Sequence, residues 1–149
     1  MTMHNILLVC IGNICRSPVA EALFKRHFPD KAVYSAGLAA LVGHPADSTA
    51  QDIAQAHGLD LSAHRAQQVT RAMCRSADLI LVMESDQQNE LATRYPLARG
   101  KIRCLGELPE GQRFDVADPY KKPRDAFEQA YAAIERGVDH WVQRIRQIG

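Results

Sequence analysis

Asn5-Ile6-Leu7-Leu8-Val9, then Cys10-Ile11-Gly12-Asn13-Ile14-Cys15-Arg16-Ser17, then Pro18, is the stretch that decides the fold. Its first five residues form an apolar run of strand formers without polar alternation, which suits a strand covered on both faces, as in a parallel sheet. Pro18 takes the favoured first helical position. Val19, Ala22, Leu23 and Phe24 then give a helical stripe that ends near Pro29. The opening reads strand, loop, helix.

The alternation continues outward from there. A strand is expected at 32–36, a helix capped by Asp47 and stopped at His57-Gly58, and a buried strand at 79–83. A helix over 86–95 ended by Pro96 and a fourth strand at 102–105 follow. Phe127, Ala130, Ile134, Val138, Trp141, Ile145 and Ile148 recur every three or four residues, which marks a long amphipathic helix. Strands alternating with helices predict an α/β fold: a four-stranded parallel sheet with helices on both faces, right-handed crossovers and a flavodoxin-like order 2-1-3-4. Long loops fall at 37–46 and 107–124, and ligands of such sheets bind outside the carboxyl ends of the strands.

At 149 residues the chain is expected to form a single domain, 1–149. Eighteen Lys and Arg against 17 Asp and Glu leave a net charge of +1, so no nucleic-acid partner is expected. The longest apolar run, 6–11, is far shorter than the ~18 residues a spanning helix needs, so no membrane insertion is expected. Without a basic, long-apolar leader at the start, a cytoplasmic location is expected. The 4 cysteines are read as thiols. The 6 histidines show no paired ligand spacing, and neither metal nor cofactor is expected.

The loop from Cys10 to Ser17 reads as a cradle for an anion. It enters a helix whose first N–H groups are unpaired and whose dipole is positive there, so backbone N–H groups can hold a phosphate-sized dianion. Gly12 and Asn13 are best able to take the positive-φ conformations that turn successive N–H groups inward, with Ile11, Ile14 and Cys15 completing the turn. Arg16 adds a planar fork matched to two phosphate oxygens. At the base of this cradle the Cys10 thiolate is favoured over the thiol, giving an activated nucleophile. Ser17 has one hydroxyl for two roles, a hydrogen bond to that thiolate or a helix cap. A Walker-type nucleotide loop is excluded, because the loop has no G-x-x-x-x-G-K-[ST] and no lysine.

The run from Val9 to Ala22, V-C-I-G-N-I-C-R-S-P-V-A-E-A, resembles the signature of low-molecular-weight protein tyrosine phosphatases, and Asp118-Pro119-Tyr120 resembles their second motif. The likeness extends through residues 35–37, 58–69 and 78–83. It implies phosphotyrosine hydrolysis through a cysteinyl-phosphate, with Cys10 as nucleophile, Arg16 on the phosphate and Asp118 as general acid. Ile11, Ile14 and Leu41 become candidate apolar walls that select a long aryl phosphate over a short serine or threonine phosphate; Leu41 reads equally as a loop aliphatic. Tyr120 either stacks on the substrate ring or is a half-buried loop aromatic. The resemblance points to His64, with Glu21 nearby, as supports for a strained Asn13. Cys15 is read as a resolving thiol that protects Cys10 through a disulfide, as packing under the loop, or as both.

Residues 35–43 further resemble the bacterial branch associated with capsule and exopolysaccharide export. That implies a phosphotyrosine protein as partner, a tyrosine autokinase, met by a monomer or weak oligomer. Where many members carry H-x-A-R-Q, this chain reads His64-Arg65-Ala66-Gln67-Gln68, with Arg65 left as a nearby cation. Two competing readings are an arsenate reductase using Cys74 and Cys104 as relay thiols, and a catalytically silent phosphotyrosine-binding module.

Overall fold

Strand β1, Asn5–Cys10, lies second in a four-stranded parallel sheet of order β2-β1-β3-β4, with β2 at Ala32–Gly37, β3 at Leu79–Val82 and β4 at Ile102–Cys104. The structure, a computed structural model, describes residues 3–148; residues 1, 2 and 149 of the expected domain lie outside the described residues. Because successive side chains of a strand alternate in direction, Ile6, Leu8 and Cys10 face one core and Leu7 and Val9 the other. Helices α1 (Arg16–His27), α2 (Ser48–Ala56) and α5 (Arg124–Ile148) cover the first face. Helices α3 (Arg71–Ser76) and α4 (Ser85–Arg94) cover the second. The expected α/β class, strand order and two-faced cover are those found.

Local chemistry explains the boundaries. Asp47 caps α2 by accepting from the Thr49 amide at 2.9 Å, and Gly58, at φ +80°, follows its end. Helix α1 starts at Arg16 rather than at Pro18, which makes Pro18 its third residue. A proline costs no hydrogen bond there, since the first-turn N–H groups have no intrahelical partner. Strands β3 and β4 each stop one residue short of the expected end. Neither α3 nor a 3₁₀ turn at Pro96–Lys101 is signalled by periodicity, because Arg-Ala-Met-Cys-Arg-Ser buries only Cys74. The Thr70 hydroxyl accepts from the Met73 amide at 3.2 Å and starts α3 locally.

Helix α5 buries the expected stripe from Phe127 to Ile145, whereas Ile148, expected to continue it, is 45% exposed because the last turn runs past the core. Trp141 Nε1 donates to the Cys104 carbonyl at 3.1 Å, tying the helix to the end of β4. At Gly137 a Cβ would stand 2.8 Å from the Leu105 carbonyl oxygen, so only glycine lets the helix come this close. All four strands run parallel, so the loops that leave β1, β2, β3 and β4 gather at one end of the sheet. A Cβ on Gly37 would lie 2.4 Å from the Ile11 carbonyl oxygen, and its absence lets the loops after β1 and β2 meet. Among the described residues no helix is long and apolar enough to cross a membrane.

Candidate active site

The loop after Cys10 turns its carbonyls outward. Cys10, Ile11, Gly12 and Ile14 accept from the amides of Leu38, Ala39, Leu41 and Asp47 at 2.9–3.1 Å. His64 Nε2 donates to the Asn13 carbonyl at 2.7 Å. Among the described residues, none of the amides from Ile11 to Cys15 donates to another group of the protein. With the carbonyls satisfied on the outside, the N–H groups are left for the inside of the turn, a concave donor array of the kind that binds anions. The turn is made at Asn13, the loop's one positive-φ residue, at +60°. Gly12 keeps a negative φ, and a Cβ there would meet nothing closer than 3.8 Å, so the expectation that Gly12 supplies left-handed backbone is corrected.

Asn13 is fully buried and orders the loop through its side chain. The Gln67 amide can only donate, and it does so to Asn13 Oδ1 at 2.9 Å, which fixes which end of the side-chain amide carries nitrogen. Asn13 Nδ2 therefore donates to Ser17 Oγ at 2.8 Å and to Ser35 Oγ at 3.0 Å. Each hydroxyl, having accepted, is free to donate onward: Ser35 to Glu21 Oε1 at 2.5 Å, and Ser17 towards Cys10 Sγ at 2.9 Å. Ser17 is inside α1, whose N-cap position is Cys15, so the capping alternative for Ser17 is corrected. Glu21 reaches Asn13 only through Ser35, which falls within the resembling stretch 35–37 but had no role assigned to it.

Arg16 is 1% exposed. Its Nη1 donates to Glu84 Oε1 at 2.5 Å and to the Val116 carbonyl at 2.8 Å, while Nη2 stands 3.7 Å from Asp118 Oδ2. Nε and Nη2 make no hydrogen bond among the described residues and remain as donors for a ligand. Glu84 was missed in the sequence; the available signal was a carboxylate just past a buried strand, at the sheet end where ligands bind. Asp118 Oδ1 accepts from the Tyr120 amide at 3.0 Å, an Asx-type turn that leaves Oδ2 beside the guanidinium.

These groups surround a cleft of about 150 Å3. Cys10, Cys15 and Arg16 line its base, Ile11, Ile14, Leu41 and Tyr120 its walls, and Asp118 its rim. Leu41 is half-buried there rather than a free loop aliphatic, and Tyr120 is 40% exposed. Burial pushes the Cys15 thiol well above the usual thiol range; the charges of Asp47, Cys10 and Asp118 act the same way, against Arg16. Cys15 is thus a neutral thiol beside Cys10. At the position where the resemblance pattern carries arginine, Gln67 donates from Nε2 to the Ser35 carbonyl at 2.9 Å. Arg65 turns back onto the Ser62 and His64 carbonyls and does not take that place. Cys74 and Cys104 are buried against the opposite face of the sheet from Cys10 and Cys15. Among the described residues no group of three His, Cys, Asp or Glu gathers in a way that could hold a metal ion.

The sequence pattern of the family described as low molecular weight phosphotyrosine protein phosphatase matches residues 5–148. A protein of Ralstonia nicotianae named a probable low molecular weight protein-tyrosine-phosphatase, EpsP, is 51% identical over 147 residues, spanning 99% of each chain. The crystal structure of the Erwinia amylovora tyrosine phosphatase AmsI matches with a TM-score of 0.91 at 47% identity, over 96% of this chain and 93% of that one. Wzb of Vibrio vulnificus, in complex with benzylphosphonate, matches with a TM-score of 0.90 at 40% identity, over 95% of this chain and 99% of that one.

Proposed function

The chain belongs to the low molecular weight phosphotyrosine protein phosphatase family and is a protein-tyrosine phosphatase, and from that premise we propose that Cys10 is its nucleophile, Arg16 and the loop amides its phosphate ligands, and Asp118 its general acid. Cys10 Sγ attacks phosphorus, forming the S–P bond as the ester P–O bond breaks, and the departing phenolate takes a proton from Asp118. Water then attacks phosphorus and gives a proton to Asp118, the S–P bond breaks, and the thiolate returns to the Ser17 hydroxyl. Arg16 and the inward amides hold the equatorial oxygens, where charge builds up during both transfers. The scheme calls for no metal and no cofactor. The observation that carries it is the loop whose carbonyls from Cys10 to Ile14 are engaged outside while the amides from Ile11 to Cys15 are not.

Ile11, Ile14, Leu41 and Tyr120 give the cleft apolar lining suited to an aryl group, which supports phosphotyrosine over phosphoserine. The physiological partner in this reading is a phosphotyrosine protein, a bacterial tyrosine autokinase of capsule or exopolysaccharide production, met in the cytoplasm by a monomer or weak oligomer. The arsenate-reductase reading is disfavoured, because relay thiols at Cys74 and Cys104 would have to act through the sheet. A silent binding module has no use for a nucleophile, cation and carboxylate around one cleft.

The test is Asp118→Asn. It lowers kcat by roughly 10²–10⁴, the usual contribution of general acid–base assistance, with the smallest loss on aryl phosphates whose leaving group needs no proton. Equal losses across leaving groups of low and high basicity would remove Asp118 from the role of acid.

A further inference from the structure

We propose that a second cleft, formed by α3, the end of α4 and the 3₁₀ turn before β4, docks an acidic segment of a partner protein through one apolar or aromatic side chain. At about 360 Å3 it is larger than the cleft at Cys10 and shares no lining residue with it. That volume is within the range of pockets that enclose a ligand group, roughly 300–1,000 Å3. Its floor is apolar, with Cys74 and Ala98 buried and Tyr95 half-buried. Leu97 on the rim is 103% exposed, the most exposed of the large apolar side chains among the described residues.

The charges of the lining have one sign: Arg71, Arg75, Arg94 and Lys101, with no carboxylate. Arg94 is already paired with Glu90 and donates to the Leu38 carbonyl at 2.7 Å. Lys101 is anchored on neutral groups, the Arg75 and Ala77 carbonyls at 3.1 and 2.7 Å, and helps hold the Asp78 carboxyl below its usual range. Arg71 and Arg75 stand four residues apart, on one face of α3. Among the described residues neither is in an ion pair. In a chain whose net charge is only +1, two uncompensated guanidinium groups beside an apolar floor and an exposed leucine fit an anionic, amphipathic partner segment. The apolar anchor supplies burial, and the acids supply orientation and encounter rate.

The test is fluorescence polarisation with a labelled peptide of one phenylalanine flanked by glutamates. The peptide is expected to bind the parent protein, less tightly as ionic strength rises. The double variant Arg71→Glu, Arg75→Glu loses about tenfold or more in affinity, the scale for reversing two screened surface charges. Leu97→Asp weakens binding as well, as does replacing the peptide's phenylalanine by serine. All of these side chains are exposed, so an unchanged thermal midpoint separates lost docking from lost fold. Any of four outcomes overturns the proposal: no binding by the parent, binding indifferent to the arginines, binding indifferent to the phenylalanine, or displacement by inorganic phosphate, which would put the peptide at Cys10. Vesicles of phosphatidylglycerol that bind the parent but not the double variant, where the peptide does not, would assign the cleft to a lipid surface and equally overturn it.

Discussion

Asn13 is where backbone strain and side-chain bonding can be separated experimentally. Its φ of +60° is left-handed backbone, which costs an alanine roughly 1–2 kcal/mol and a glycine nothing. Its side chain makes three hydrogen bonds, to Ser17 Oγ at 2.8 Å, to Ser35 Oγ at 3.0 Å and from the Gln67 amide at 2.9 Å. Each contributes about 1 kcal/mol net. Asn13→Gly loses the bonds alone, about 3 kcal/mol; Asn13→Ala loses the same bonds and adds the strain, about 4–5 kcal/mol. Glycine's greater freedom in the unfolded chain narrows that gap without reversing it, because alanine at positive φ destabilises by more than the ~0.4–1 kcal/mol that its lower entropy returns. The assay is urea unfolding at equal slopes, where 1 kcal/mol moves the midpoint by about 0.5 M for a slope near 2 kcal/mol/M. The glycine variant is expected to be the more stable, against the usual ranking of the two residues in regular structure. An alanine midpoint equal to or above that of glycine would refute the account of this loop.

Three further outcomes follow from the same geometry. Glu84→Ala leaves the buried Arg16 guanidinium without its carboxylate and costs about 3 kcal/mol, whereas Glu84→Gln keeps a hydrogen-bond acceptor and costs about 1 kcal/mol; midpoints within 0.5 kcal/mol of each other (about the error of such differences) would contradict the ion pair's role. Peroxide converts the Cys10 thiolate to a sulfenic acid that the neutral Cys15 thiol captures as a disulfide with loss of water, before a second peroxide oxidises it to the irreversible sulfinic acid, so reductant restores activity in the parent but not in Cys15→Ser; equal recovery in both proteins would reduce Cys15 to packing. The Asp78 carboxyl is held below its usual range chiefly by the Asn5 amide, and also by the His4 amide, so its contribution is complete above the unfolded carboxylate range and is lost as pH falls through the lowered folded value. Asp78→Asn should therefore flatten the acid side of a stability profile and leave its slope near neutrality unchanged, a result readable from thermal midpoints across pH.

The cradle was legible because its chemistry is written in consecutive residues: a nucleophile, an asparagine able to turn the chain and a cation between a buried strand and a helix. The sheet was legible for the same reason, since β1 and β3 are unbroken apolar runs. What stayed hidden acts through groups that carry no letter of their own. The Val116 carbonyl and the Gln67 amide are main-chain groups that nearly any residue would supply, and only the fold brings them to Arg16 and Asn13. Ser35 and Glu84 are ordinary residues made important by parallel pairing, which sets the ends of β2 and β3 beside that of β1. Helix α3 was invisible because its stabilisation is a cap and a single buried cysteine rather than a stripe.

Position 67 shows what such anonymity permits. The hydrogen bond that orients Asn13, and through it the Ser17 hydroxyl facing Cys10, starts from the main chain of Gln67. Glutamine in place of the arginine of the resembled pattern therefore leaves this proton order intact, and so would nearly any other exchange. Among the common amino acids proline alone lacks the N–H, so position 67 can change in charge, size and polarity, giving up its side-chain bond to the Ser35 carbonyl, while still dictating the direction of a hydrogen bond to a sulfur it never touches.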